Sequence, residues 1–262
     1  MKFNSISCSA AALLLLGTLS AARAQDTVSM KLDVVSWGED ITGLSLTAAG
    51  KASPITARAF TYSTPVRYNG PAVMEIHQEG GGAAADKAAG EKNAAAIPAE
   101  LKALRAKDPT IVALAKLPVG SRRATVLIAP AQGGTYQTFV IDDDPSKLPF
   151  GKLRVHNYTP FKIAMKLNGK QGAPMKTRDS FVVEPKDGQV IYELAYEQNG
   201  AWTTQENNLI PVRPDEQVQL IILKSDAGFF LSGDGSRSGF LQSVSLRRPE
   251  KEPEPAEPAA AR

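Results

Sequence analysis

Cysteine is almost missing from this sequence. The only one among 262 residues, Cys8, lies in an N-terminal segment that the sequence predicts to be removed on export. The exported chain then has no thiol, which excludes disulfide bonds, a cysteine nucleophile and cysteine-based metal sites. Its stability must come from buried apolar area.

Histidine is nearly as scarce, since the chain contains only His77 and His156. Neither histidine belongs to an H-E-x-x-H pattern or to a closely spaced pair of metal-binding side chains. We therefore expect both to be partly exposed strand residues. The sequence identifies no catalytic residue, no metal site and no cofactor.

An excess of one charge is also missing. Lys and Arg number 30 against 27 Asp and Glu, and two of the basic residues, Lys2 and Arg23, lie in the predicted leader. The exported chain is therefore close to neutral. Such a chain offers no basic field to attract nucleic acid, so we expect no nucleic-acid partner.

Long apolar runs are limited to one, at residues 11–22. It is shorter than the roughly 18 to 20 residues that a membrane-spanning helix needs. Lys2 precedes it, and Ala22-Arg23-Ala24 follows with small residues at the positions required for cleavage. The pattern predicts a signal peptide over residues 1–24, no membrane span, and an exported protein that is periplasmic or extracellular.

The rest of the chain is rich in short apolar stretches of period two, which are typical of β-strands. Turn-forming pairs separate them, including Asn69-Gly70, Asn168-Gly169 and Asn199-Gly200. Many short strands with such turns favour an all-β fold of sandwich type. The predicted strands cover residues 31–35, 44–46, 73–76, 125–128, 136–141, 153–155, 163–167, 181–183, 190–196, 218–223 and 244–246.

Similar segments occur twice in the same order. LPVGSRRATVLIAP at residues 117–130 matches IPVRPDEQVQLIILK at 210–224, and three further pairs of segments around them match as well. Ordered matches of this kind indicate an internal duplication. We predict two tandem immunoglobulin-like β-sandwich domains, at residues 28–141 and 150–247, joined by a linker at 142–149.

Two segments depart from this pattern. The first copy carries an alanine- and glycine-rich insertion at about residues 81–109, in which Pro98, Ile97, Leu101 and Leu104 predict a short amphipathic helix. The end of the chain, residues 248–262, alternates proline with charged residues. That composition predicts a disordered, extended tail.

The second copy also carries a strand motif, with Arg154, Val155, Asn157 and Pro160 followed by the Asn168-Gly169 hairpin. It resembles secreted bacterial tandem β-sandwich repeat proteins of uncharacterised function. In the first copy, residues 37–40 depart from the motif. The resemblance implies a fold and an exported location but no activity, because function depends on sites that are added to a fold.

Few side chains suggest a binding site. Exposed aromatic rings on a β-sandwich can stack on sugars, so Trp37, Trp202 and Tyr158 are speculative ligand-binding residues. The run Asp142, Asp143 and Asp144 is expected to be an exposed linker turn, with a weak calcium site as the alternative. The GSRSG stretch at residues 235–239 lacks the central serine of a nucleophile elbow.

Taken together, the sequence favours a non-enzymatic interaction or structural module of the cell envelope. Its expected partner is an envelope protein, a peptide or a glycan, and its oligomeric state stays open. One alternative is a carbohydrate-binding module that uses exposed Trp and Tyr side chains. A second alternative is a hydrolase whose site the sequence does not reveal.

Overall fold

The computed structural model describes residues 26–48, 50–80, 96–224 and 241–250. These residues form β-strands throughout, with one short α-helix, which confirms the all-β prediction. The predicted signal peptide, most of the insertion, the GSRSG stretch and the tail beyond residue 250 lie outside the described residues. Within the described part, no helix is long and apolar enough to span a membrane.

The first eight strands form one sheet, which we call the first unit. The strands are β1 (Thr27–Ser36), β2 (Ile41–Ala48), β3 (Lys51–Ala59), β4 (Val66–Pro71), β5 (Val73–Gln78), β6 (Ile111–Lys116), β7 (Arg123–Ala131) and β8 (Thr135–Asp142). Their order in the sheet is β6-β5-β2-β3-β1-β7-β8, and β4 also pairs with β1.

This sheet folds back on itself around a core. Its two end strands approach each other, and the Thr138 hydroxyl of β8 donates a hydrogen bond of 2.6 Å to the Leu114 carbonyl of β6. Apolar side chains from all eight strands fill the enclosed space, including Leu32, Leu46 and Ile76. Alternate residues of each strand supply this core because successive side chains point to opposite faces.

The remaining strands form the second unit, in which two four-stranded sheets enclose a second core. The strands are β9 (Lys152–Asn157), β10 (Ile163–Leu167), β11 (Lys170–Gln171), β12 (Ser180–Val183), β13 (Gln189–Gln198), β14 (Ala201–Pro211), β15 (Glu216–Lys224) and β16 (Leu241–Pro249). The strand orders of the two sheets are β11-β10-β13-β14 and β12-β9-β15-β16.

The two units repeat the same strand pairings in the same order. β1 pairs antiparallel with β4 and parallel with β7, just as β9 pairs with β12 and β15. The pairs β2–β3, β2–β5, β5–β6 and β7–β8 likewise correspond to β10–β11, β10–β13, β13–β14 and β15–β16. The first unit adds a parallel pairing of β3 with the end of β1.

The helix predicted in the insertion is present as α1 (Ala99–Arg105), preceded by Pro98 at its N-cap. Leu101 is its buried residue. Arg105 fixes the helix to the first unit by donating hydrogen bonds to the carbonyls of Ile111 and Gly134, each at 3.2 Å.

Two predicted turns are confirmed and one is wrong. Asn168-Gly169 and Asn199-Gly200 each have positive φ at both residues, the conformation of a tight two-residue hairpin. Asn69-Gly70 instead lies within β4, where Asn69 pairs with Ser29 of β1. Pairing with a strand that is distant in sequence outweighs the local turn preference there.

Two predicted boundaries also require correction. The segment at 142–149 is not an exposed linker, because Asp143, Asp144 and Leu148 are buried. The last strand continues to Pro249, and Arg248, predicted to begin the disordered tail, is buried. Both differences have one cause, which is that these residues lie where the two units meet.

The contact between the units buries the outer faces of several strands. On β7, Val126 faces the first core while Leu127 faces the second unit, and on β15 Leu220 and Ile221 alternate in the same way. Strands that are covered on both faces have nearly continuous apolar sequences. The apolar cluster between the units, here the junction cluster, comprises Val35, Trp37, Leu127, Ile141, Ile221, Leu223 and Leu246.

Equivalent core positions in the two units predict equivalent losses of stability. Leu32 and Leu153 are both fully buried, on β1 and β9. We expect Leu32→Ala and Leu153→Ala each to lower the free energy of unfolding by about 2 to 5 kcal/mol, measured by urea denaturation. Leu209→Ala, at an exposed leucine, is the matched control. A buried-site variant no less stable than this control would contradict the core assignment.

Candidate functional site

A buried arginine connects the two units. Arg248 of β16 is 5% exposed and donates hydrogen bonds to Asp33 of β1 at 2.8 Å and to Asp143 at 3.0 Å. Arg123 of β7 also binds Asp33, through Nε at 3.0 Å. Removing such charges from water is costly unless each has partners, so these residues hold the units in one relative position.

Polar side chains from both units complete this network. Asp143 accepts hydrogen bonds from Thr125 of the first unit and from Gln219 of the second, the latter at 2.5 Å. The side-chain amide oxygen Oε1 of Gln219 in turn accepts a hydrogen bond of 2.7 Å from Nε2 of His156. The connection between the units is therefore fixed from both sides.

Burial sets the direction of the pKa shift for two groups of this network. It raises the pKa of Asp33, although the charges of Arg248 and Arg123 oppose the rise. Oδ1 of Asp33 has no hydrogen-bond partner among the described residues. Burial also lowers the pKa of His156 to about 4, so its imidazole is neutral near pH 7.

A groove opens beside the network, with walls from both units. Its volume is about 1150 Å³. The first unit supplies residues of β1, β3, β4, β7 and the segment 61–65, and the second unit supplies the end of β16. We call it the junction groove, and it is lined by Lys31, Asp33, Val34, Pro54, Ile55, Thr56, Arg58, Thr61, Tyr62, Ser63, Thr64, Pro65, Val66, Arg67, Arg123, Arg247, Arg248 and Pro249.

The groove forms where the sheet of the first unit divides. β1 pairs with β4 up to Leu32 and with β3 from Val35 onward, so Asp33 and Val34 lie between the two partners. The Ser63 hydroxyl crosses this gap and donates to the Val34 carbonyl at 3.3 Å. The equivalent strand β11 is only two residues long and does not pair with β9, so no such division occurs among the described residues of the second unit.

Among the charged side chains of the groove, basic ones predominate. Six of its lining residues are Lys or Arg and one, Asp33, is acidic. Arg247 is neutralised by the buried carboxylate of Glu216, 2.7 Å away. Arg58 and Arg67 are exposed and form no ion pair with any residue that the structure describes. The groove is therefore chemically suited to an anionic ligand.

The structure does not bring the three predicted aromatic residues together. Trp37 is only 8% exposed and packs edge-on against Phe60, with ring centroids 5.4 Å apart, so its ring is not free on the surface to stack on a sugar. Tyr158 lies half-buried at the junction, stacked on His156. Trp202 is 46% exposed, as expected, but lies on β14 outside the junction cluster.

The three consecutive aspartates were expected to be exposed, and this is wrong. Each has its own protein donors: Ser121 and Lys147 for Asp142, the network for Asp143, and Arg122 for Asp144. Hydrogen bonds from the side chain and backbone of Arg122 hold the pKa of Asp144 well below its ordinary value. No cluster of three potential metal ligands occurs among the described residues.

The two histidines occupy different environments. His77 is partly exposed on β5, 3.1 Å from the Thr110 hydroxyl and 3.6 Å from Glu75. His156 is buried, which corrects the expectation of partial exposure. Neither histidine lines the junction groove.

Sequence reasoning missed the residues that form the groove. The one available signal was the pair of arginine doublets, Arg122-Arg123 before β7 and Arg247-Arg248 at the end of β16. Adjacent strand residues point to opposite faces, so a doublet can place one arginine inside and one outside. Nothing in the sequence pattern distinguishes Arg58 or Arg67.

Comparison with known proteins gives no family assignment. No protein-family model and no curated protein sequence matches the chain. Among solved structures, a candidate cell adhesion protein from Bacteroides eggerthii is similar at 9% identity, over 86% of this chain and 96% of that chain, with a TM-score of 0.21. A score this low does not demonstrate a shared fold. The fold and the groove define an all-β protein with a candidate anion site.

Removal of the buried arginine tests the network. We expect Arg248→Met to lower the free energy of unfolding by about 3 to 5 kcal/mol, because Asp143 and Asp33 stay buried without that cation. Arg247→Met is the control, since Glu216 keeps Arg213 as a partner, and its cost should be below about 1 kcal/mol. Equal effects of the two variants in urea denaturation would contradict this role of Arg248.

The depressed pKa of His156 predicts a pH dependence. Unfolded chains bind a proton on this residue below about pH 6.5, whereas the folded protein resists protonation until about pH 4. Stability is therefore lost as the pH falls through that window, by about 3 kcal/mol. In His156→Gln this loss should be absent, as measured by urea denaturation at pH 7 and pH 4. Identical slopes in the two proteins would show that His156 is not held neutral.

Proposed function

We propose that the protein is a non-enzymatic, exported binding module of the cell envelope and that the junction groove holds its ligand. One observation carries this proposal, namely that both units build the groove and a buried charge network fixes its shape. A site whose walls are already held in place loses little conformational entropy when a ligand binds. The partner, an envelope protein, a peptide or a glycan, would contact both units.

We also propose that the units derive from duplication of one immunoglobulin-like sandwich. The shared order of strand pairings supports this origin. In β1 and β9, Leu32 pairs with Ala124 and Leu153 with Val218, and all four face their own cores. The first copy then differs from the second in the extra pairing of β3 and in the insertion. The groove forms at the first of these two differences.

The two alternatives receive less support. A carbohydrate site built from Trp37, Trp202 and Tyr158 would need exposed rings on a common surface, and Trp37 is buried. A hydrolase would need a base and a nucleophile in one cleft. The two histidines belong to different units and lie outside the groove.

The proposal predicts where binding protects the protein. On addition of envelope-derived glycans and cell-wall fragments, we expect slower backbone hydrogen exchange at residues 54–67, most of which line the groove, and at Arg247 and Arg248. Residues 163–171, in the second unit away from the groove, serve as the internal control. The same fragments should not be consumed. Protection confined to other surfaces would contradict the groove as ligand site, and turnover abolished by one side-chain change would contradict the non-enzyme proposal.

A further inference from the structure

Resting on the function proposed above, we infer that the ligand of the junction groove is an acidic saccharide whose carboxylates bind Arg58 and Arg67. Three properties of the groove support this ligand: its charge, its hydroxyl groups and the absence of an exposed large hydrophobic side chain from its described lining.

Only some of the basic side chains in the groove form ion pairs with carboxylates of the described part of the protein. Arg123 and Arg248 are engaged with Asp33, and Arg247 with Glu216. Arg58 and Arg67 stand on the two strands that flank the division of the sheet, and both are exposed. Their guanidinium groups are planar forks that match a carboxylate with two parallel hydrogen bonds.

Hydroxyl side chains provide the second property. Thr56, Thr61, Ser63 and Thr64 line the same groove as the two arginines. A hydroxyl both donates and accepts hydrogen bonds, so it can pair with the hydroxyls of a sugar ring. Pro54 and Pro65 add flat apolar surfaces of the kind that can pack against the CH groups of a sugar ring.

The third property disfavours an acidic peptide. Peptide side chains are usually anchored in apolar or aromatic pockets. The large hydrophobic residues that the described part of the chain exposes all lie outside the groove, and Arg248 covers one face of Tyr62, 4.1 Å from its centre. The exposed residues in question are Val119, Phe150, Val182, Ile191, Trp202 and Leu209.

The test compares three six-unit probes by isothermal titration calorimetry with the full exported chain. The probes are a galacturonate hexamer, a neutral maltohexaose and a glutamate hexapeptide, which separate sugar chemistry from charge. We expect binding of the galacturonate hexamer alone, weakening as salt rises because exposed charges are screened. Failure of the galacturonate hexamer to bind, or equal binding of the glutamate hexapeptide, would overturn the inference.

Matched variants locate the site. Arg58→Gln combined with Arg67→Gln should weaken galacturonate binding at least tenfold and leave the melting temperature unchanged, since both residues are exposed. Lys102→Gln combined with Lys107→Gln removes the same charge near α1, outside the groove, and should change affinity less than twofold. Equal losses in the two double variants would show that net charge alone binds the probe, and the inference would be wrong.

The two proposals fail in different ways. If the galacturonate hexamer does not bind but envelope fragments still slow hydrogen exchange along residues 54–67, the ligand class is wrong and the groove keeps its proposed role. If the hexamer binds and protects only surfaces away from the groove, both the site and the roles of Arg58 and Arg67 are wrong.

Discussion

The buried charge of Arg248 is the constraint on which the arrangement of the two units depends. An arginine that is 5% exposed must keep its carboxylate partners, and these are Asp33 of the first unit and Asp143 of the connection. Thr125 and Gln219 then bind Asp143 from opposite units. Because the partners come from both units, the two sides of the apolar junction cluster are held in one relative position. The walls of the groove beside the cluster are fixed for the same reason.

The same junction explains why two segments of the sequence resemble each other so closely. β7 and β15 are covered on one face by their own cores and on the other by the partner unit, so each contains a continuous apolar run, VLI at residues 126–128 and LIIL at residues 220–223. Their predicted strands, like the others, lie within observed strands. Five observed strands were missed, namely β3, β4, β6, β11 and β14. In β3 and β14, Pro54 and a long polar run weaken the strand pattern, and pairing with neighbouring strands, including β2 and β13, makes them strands.

The candidate site was less predictable than the fold. Three aspartates followed by Pro145 read locally as an exposed turn, and what buries Asp143 is an arginine 105 positions away. Arg58 and Arg67 line the same groove because β1 changes partner between Leu32 and Val35. Local patterns carry no information about such pairings, whereas the Asn168-Gly169 and Asn199-Gly200 turns and helix α1 depend on neighbouring residues and were found.

Equivalent positions in the two units differ where they meet, and this difference has a consequence for binding. The register that pairs Asp33 with Thr125 in the first unit pairs Arg154 with Gln219 in the second. An acidic residue and a basic residue thus occupy matching positions, so the two junction faces are complementary and not identical. In the part of the chain that the structure describes, the sheet divides only in the first unit, beside Asp33, which binds Arg123 and Arg248 on that side. Two similar units therefore form this groove on one side, and its charged lining residues are mostly basic.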